Sequence, residues 1–254
     1  MRNLRLVARL DVKMNWLIKG VQMEGWRKVG DPAEFARVYA EQGADELLFM
    51  DVVASLYQRN NLADIVERVA SQVFIPVTVG GGIKSVEDVR NLLDRGADKV
   101  AINTAATQNP ELLTQISDRY GSQATVVSIE AMPLGPGRWQ AMTDNGRNHT
   151  GLDVLEWAQE VESRGAGEIV LTSIRHEGVG NGYDIELIKA VSDCVSIPVV
   201  ASGGLGRPEH LAQLIDKTKA SAAAVAQGLH WNKTSLASLR EVAREAGCYV
   251  RTVA

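Results

Sequence analysis

The sequence predicts an α/β protein, one closed (βα)8 barrel of parallel strands with an internal two-fold half-barrel repeat. Three observations carry this expectation. Strand-like and helix-like runs alternate eight times, the first half of the chain echoes the second, and 254 residues suit one such barrel spanning 1–254 as a single domain. A doubly wound open sheet would share the alternation but would leave the echo unexplained.

Short β-branched runs at 4–12, 46–52, 75–79, 99–103, 125–130, 168–173, 198–202 and 222–226 are the candidate strands. Amphipathic runs at 32–43, 60–72, 86–95, 110–119, 152–164, 184–193, 208–217 and 234–246 are the candidate helices. Their starts carry recognisable chemistry. Asp31-Pro32-Ala33-Glu34 supplies a capping carboxylate, a proline at the first helical position and an acid in the first turn, and Ser85-Val86-Glu87-Asp88 and Asn109-Pro110 are similar. Gly43, Gly96 and Gly165 stand where helices should stop.

The echo is specific. Ile75-Pro76-Val77-Thr78-Val79-Gly80-Gly81-Gly82 resembles Ile197-Pro198-Val199-Val200-Ala201-Ser202-Gly203-Gly204, and the same shift pairs Gly43-Ala44-Asp45-Glu46 with Gly165-Ala166-Gly167-Glu168. It also aligns Leu10-Asp11-Val12 roughly with Ile129-Glu130-Ala131. Four strands repeated on four strands close naturally into a barrel.

Composition narrows the function. A net charge of -4 gives no electrostatic footprint for nucleic acid or an anionic membrane surface. No run of about twenty apolar residues is present, and the first residues do not read as a secretory signal. Cys194 and Cys248 lack metal-type spacing and the four histidines are scattered, so no metal or other cofactor is expected, and a cytoplasmic location fits the thiols.

In this barrel type chemistry sits at the C-terminal ends of the strands. Asp11 and Glu130 end the first and fifth strands, at positions the repeat relates; two such carboxyls can divide acid and base work where their surroundings part their pKa values. Gly82, with Asn103 and Thr104, forms one candidate phosphate site. Gly178, Gly203, Gly204 and Ala226 form a second across the mouth, and the pair suits a substrate with a phosphate at each end. The opposite face carries Arg5, Glu46, Lys99 and Glu168 at strand starts, where apolar layers usually seal a barrel. Trp16 and Trp26 fall in the loop after the first strand, as a lid or a packed surface loop. Asp144-Asn145-Gly146 reads as a turn.

Taken together, Leu10-Asp11-Val12-Lys13, Ile18-Lys19-Gly20, Thr78-Val79-Gly80-Gly81-Gly82-Ile83, Gly96-Ala97-Asp98-Lys99-Val100, Ile102-Asn103-Thr104-Ala105-Ala106, Gly121-Ser122-Gln123 and Ala201-Ser202-Gly203-Gly204 closely resemble the cyclase subunits of imidazole glycerol phosphate synthase, over essentially the whole chain. The resemblance implies a heterodimer with a glutaminase subunit docked on the N-terminal face through Asp98 and Gln123. It also implies an ammonia gate at Arg5, Glu46, Lys99 and Glu168, a catalytic pair Asp11 and Glu130, and Lys19 among the substrate-binding residues. The implied substrate is a bis-phosphorylated phosphoribulosyl-formimino aminoimidazole carboxamide ribonucleotide. Departures from the family pattern are Glu130 for an aspartate, Arg9 for a cysteine, Arg175-His176-Glu177-Gly178-Val179 for Asp-Arg-Asp-Gly-Thr, and Gln227 for a serine. They leave the site around Gly82 intact and rebuild the other. A second reading is a paralogue that keeps the conduit and the glutaminase dock but feeds another acceptor, such as a nucleotide-sugar amidation system. A third is a non-catalytic phosphate-binding scaffold.

Overall fold

The first long strand is buried on both faces, and the alternation of its side chains between them sets the architecture. Leu6, Ala8, Leu10 and Val12 face the helices, whereas Val7 joins a separate apolar cluster inside the ring of strands. In the computed structural model, which describes residues 2–54 and 62–251, the ring consists of β1 (Arg5–Lys13), β2 (Glu46–Asp51), β3 (Val77–Gly80), β4 (Lys99–Ile102), β5 (Thr125–Gly135), β6 (Glu168–Ser173), β7 (Val199–Ser202) and β8 (Ala222–Val225). Each pairs in parallel with the next, and β8 returns to β1 with Ala222 opposite Arg5, which closes the barrel.

Between the strands run α1 (Pro32–Glu41), α2 (Leu62–Ala70), α3 (Val86–Asp94), α4 (Glu111–Tyr120), α5 (Val154–Ser163), α6 (Ile185–Cys194), α7 (Pro208–Lys217) and α8 (Leu236–Glu245). Their apolar stripes and the outward strand faces form one continuous core that includes Leu6, Leu10, Phe49, Leu92, Leu113 and Ile129. Burying a side chain of this size stabilises the fold by about 1.5–3 kcal/mol. Asp31 caps α1 by accepting from Ala33 and Glu34, and Ser85 caps α3. The expected start of the second helix at 60 lies outside the described residues.

Three local features differ from expectation. Asn109 does not cap α4, because the short helix Thr104–Gln108 runs up to it and takes its N–H on the Ala105 carbonyl; Pro110 holds the cap position without a side-chain bond. The stretch after β1, expected as a loop, is a hairpin of Trp16–Val21 and Glu24–Gly30 that doubles back antiparallel along β1, with Asp11 opposite Ile18. After β5 a second hairpin, Arg138–Thr143 and Asn148–Asp153, doubles back in the same way, with Glu130 opposite Met142. Both hairpins therefore grow from strands that carry a candidate carboxyl and fold over the barrel mouth.

Loop packing at that mouth leaves no room for side chains at some positions. The Gly182 N–H donates to the Gly204 carbonyl at 2.8 Å. A Cβ on Gly204, whose φ is +112°, would lie 2.0 Å from the Gly182 oxygen. Gly204→Ala is expected to lower stability by about 1–3 kcal/mol, measured by urea denaturation, because both the backbone and the neighbouring loop must shift.

Candidate active site

The inward positions of β1 beyond Val7 are Arg9 and Asp11, and both are buried although charged. Arg9 Nε donates to Asp11 Oδ1 at 2.8 Å, and its Nη1 donates at 2.9 Å to Thr172 on β6 and at 2.9 Å to Ser202 on β7. The hairpin returns Lys19 over Asp11, so that Nζ donates to Oδ2 at 2.9 Å and also pairs with Glu177 in the loop after β6. Burial alone would raise the Asp11 carboxyl; Arg9 and Lys19 overcome it and hold the group ionised, far below the usual carboxylate range. Lys19 thus serves the carboxylates here rather than lining the open cavity beside Gly82.

Two cations, Arg9 and Lys19, balance two anions, Asp11 and Glu177. Glu130 is the fifth charged group and has no cation of its own. Its Oε2 accepts the Gly146 N–H at 2.7 Å. Burial pushes its pKa up to about 7, against the Gly146 bond and the charge of Arg9. The two carboxyls at the ends of β1 and β5 therefore have widely separated proton affinities, the condition for one to stay ionised while the other exchanges a proton near neutrality.

Glu130 and Arg9 line a cavity of about 260 Å³ with Gly81, Gly82, Asn103, Thr104 and Lys84. This cavity gathers every residue of the first expected phosphate site. Asp144 and Asn145 also line it, so the turn between the second pair of hairpin strands is part of the site wall. Asn103 Nδ2 donates to the Met142 carbonyl at 3.2 Å and the Asp144 N–H donates to Thr104 Oγ1 at 3.3 Å, which ties that turn to the end of β4.

The second expected phosphate site is assembled but shut. Gly178, Gly203, Gly204 and Ala226 surround a space of only about 10 Å³, room for about one water. Gln227 Nε2 donates to the Gly178 carbonyl at 2.5 Å, so the amide that stands at the family's serine position pulls the rebuilt loop inward.

At the other end of the barrel, Arg5 Nη1 meets Glu46 Oε2 at 2.6 Å and its Nη2 pairs with Glu168, while Lys99 Nζ lies 3.0 Å from Glu46 and 2.8 Å from Glu168. Thr78 donates to Glu46 at 2.5 Å. The four charges alternate around the axis, and each acid touches both cations. Above them lies a layer of Val7, Leu48, Ala101, Val126, Val170 and Val200. Asp98 and Gln123 lie exposed on this face. Asp98 Oδ2 accepts the Val77 N–H at 2.8 Å, and Gln123 Nε2 donates to the Tyr120 carbonyl at 3.1 Å.

Sequence reasoning passed over Thr172, noted Arg9 and Glu177 only as departures from a family pattern, and met Ser202 and Gly146 only within a glycine-rich strand end and a turn. Buried Arg9 on an inward position of β1 was the available signal, since an arginine there demands partners from neighbouring strands.

Fold and mouth together define a parallel barrel protein with two buried carboxyls of widely separated proton affinity at the C-terminal strand ends, one of them, Glu130, lining a polar cavity. A family model described as histidine biosynthesis protein matches residues 5–235. Imidazole glycerol phosphate synthase subunit HisF of Legionella pneumophila is 62% identical over 209 residues, which are 82% of this chain and 99% of that protein. The chain belongs to this histidine biosynthesis family.

A pH prediction follows from Glu130. Folding raises its pKa to about 7, so its contribution to stability is full below the ordinary carboxylate range and is lost as pH rises through the folded value. Glu130→Gln is expected to flatten the fall in Tm between about pH 5 and about pH 8, as read by scanning calorimetry; an unchanged slope would place the burial cost elsewhere.

Proposed function

We propose that this chain is the cyclase subunit of an imidazole glycerol phosphate synthase. It takes ammonia released by a separate glutaminase subunit. With it, it converts a bis-phosphorylated phosphoribulosyl-formimino aminoimidazole carboxamide ribonucleotide into imidazole glycerol phosphate and aminoimidazole carboxamide ribonucleotide. The observation that carries the reading is the alternating ring of Arg5, Glu46, Lys99 and Glu168 at the foot of the barrel, in a chain 62% identical to a subunit of that synthase. A barrel needs no charges there for packing, since apolar layers fill such interiors. Paired charges that can part for a small neutral molecule have a use if ammonia enters along the axis.

In this reading the glutaminase docks around Asp98 and Gln123, on the face that holds the ring, and the pair works in the cytoplasm. Ammonia passes the ring and the apolar layer and reaches the acceptor at the mouth. One phosphate of the acceptor lies in the cavity beside Gly82, Asn103 and Thr104. Asp11, held ionised, accepts a proton or steadies a cation, and Glu130 gives and takes protons near neutral pH. The second phosphate goes to Gly178, Gly203, Gly204 and Ala226 once Gln227 releases the Gly178 carbonyl.

The closed state of that second site favours one other reading, in which the acceptor has a single phosphate and the chain serves a different amidation. Turnover of the bis-phosphorylated substrate with ammonium salt separates the two: product formation supports the cyclase, and its absence with an intact fold supports the other acceptor. In the cyclase, Asp11→Asn is expected to cut ammonium-driven turnover by about 10²-fold or more with the fold intact. Lys99→Ala should lower product formed per glutamine hydrolysed, while ammonium-driven turnover stays within about twofold of the parent. Equal losses with both nitrogen sources would remove the ring from the conduit.

A further inference from the structure

We propose that Arg9 binds the acceptor directly: its Nη2 amino group takes the keto oxygen that ammonia attacks and holds the charge developing there. The proposal rests on the reading above for the identity of the acceptor and adds a catalytic residue to it. Nothing in the family pattern places an arginine at this position.

The geometry points to it through an accounting of donors. A guanidinium has five N–H groups. Nε serves Asp11, and Nη1 serves Thr172 and Ser202, each at 2.8–2.9 Å. Those bonds fix the plane of the group from three strands, β1, β6 and β7. Nη2 has no hydrogen-bond partner among the described residues, although the residue is only 4% exposed, and Arg9 lines the cavity of about 260 Å³. Its two N–H groups are the donors left for an occupant. Nη2 is open to the cavity rather than sealed in the packing, so its N–H groups are available to whatever fills that space.

Position on the axis adds the second argument. Arg5, Val7 and Arg9 are successive inward residues of β1, which climbs about 3.3 Å per residue. Arg9 therefore stands about 13 Å from Arg5 along the strand and roughly 11 Å above the ring along the axis, given a strand tilt of about 36°, immediately past the apolar layer that contains Val7. Ammonia leaving that layer meets the acceptor at the level of Arg9, so the attacked carbon and its oxygen lie beside Nη2. In the step itself the ammonia lone pair forms the C–N bond while the C=O π pair moves onto oxygen. Glu130 relays a proton from nitrogen to that oxygen, and loss of water leaves the imine. A donor fixed in advance beside the forming alkoxide stabilises it without having to reorient.

Ribulose 5-phosphate is a suitable probe: it carries one phosphate and one keto group, and its phosphate prevents closure to a five-membered ring through O5. Titration calorimetry compares it with inorganic phosphate on the parent chain, Arg9→Met and Arg9→Lys. The expected result is at least about tenfold weaker binding of ribulose 5-phosphate in both variants, the loss of one hydrogen bond to a charged donor. Inorganic phosphate should bind within about twofold of the parent in Arg9→Lys, which keeps the charge but not the fork. No binding of ribulose 5-phosphate by the parent, unchanged binding in Arg9→Lys, or an equal loss of both ligands there overturns the proposal. Turnover of the bis-phosphorylated substrate with ammonium salt is read in parallel, where Arg9→Lys should lose about 10²-fold in kcat with KM little changed. A KM rise with kcat retained would also overturn the catalytic role. If the parent binds the probe through Arg9 but does not turn over that substrate, the proposed reaction falls and the Arg9 contact stands.

Discussion

Charge inside a closed barrel has to be neutralised within the barrel, and this constraint governs both ends of the molecule. A carboxylate or guanidinium removed from water loses several kcal/mol of hydration, which only close partners can offset. At the foot the solution is a ring of two cations and two anions, Arg5, Lys99, Glu46 and Glu168. At the mouth it is another such set, Arg9, Lys19, Asp11 and Glu177. Between them the interior is lined mainly by apolar side chains, with Ser128 among them. Glu130, left over from this balance, resolves its position by holding its proton up to about pH 7. Its acid–base character is thus a by-product of how its neighbours pair.

The same balance explains why the hairpin after β1 belongs to the site. Trp16–Val21 brings Lys19 across the mouth, and without that cation Asp11 and Glu177 would face Arg9 alone. The hairpin is held down by packing as well, through Ile18 and Trp26 against Val52 and Val53. The hairpin thus joins the end of β1 to the loop after β6 through one ammonium group.

The fold was legible because its signals are periodic. Alternation in β1, the proline-aspartate start of α1 and the glycine-rich ends of β3 and β7 each report a local backbone requirement. The foot ring was legible only in part: Glu46 and Glu168 recur at the same place in the two halves of the sequence, but the ring of four came from the family resemblance rather than from a local pattern. The rest of the mouth was not. Lys19 and Glu177 are 158 residues apart, and nothing in either segment announces the other. The Asp144–Gly146 turn has ordinary turn composition, yet its Gly146 N–H is what Glu130 holds. The shut second site depends on the reach of Gln227 to one carbonyl, a matter of tertiary distance that no local pattern encodes.

One strand carries a surprising share of these parts. Along β1, Arg5 belongs to the foot ring, Val7 to the apolar layer, and Arg9 and Asp11 to the mouth, while the intervening Leu6, Ala8 and Leu10 anchor the helices. A substitution at any of these positions damages one function. Insertion or deletion of a single residue within the strand would instead exchange the two faces, turning Leu6, Ala8 and Leu10 inward and the charges toward the helices. Sequence length in β1 is therefore far less free to drift than residue identity, and the hairpin turn beyond it is constrained as well, since the Gln22 N–H donates to the Glu177 carbonyl and Met23 packs against Met142 and Ile174.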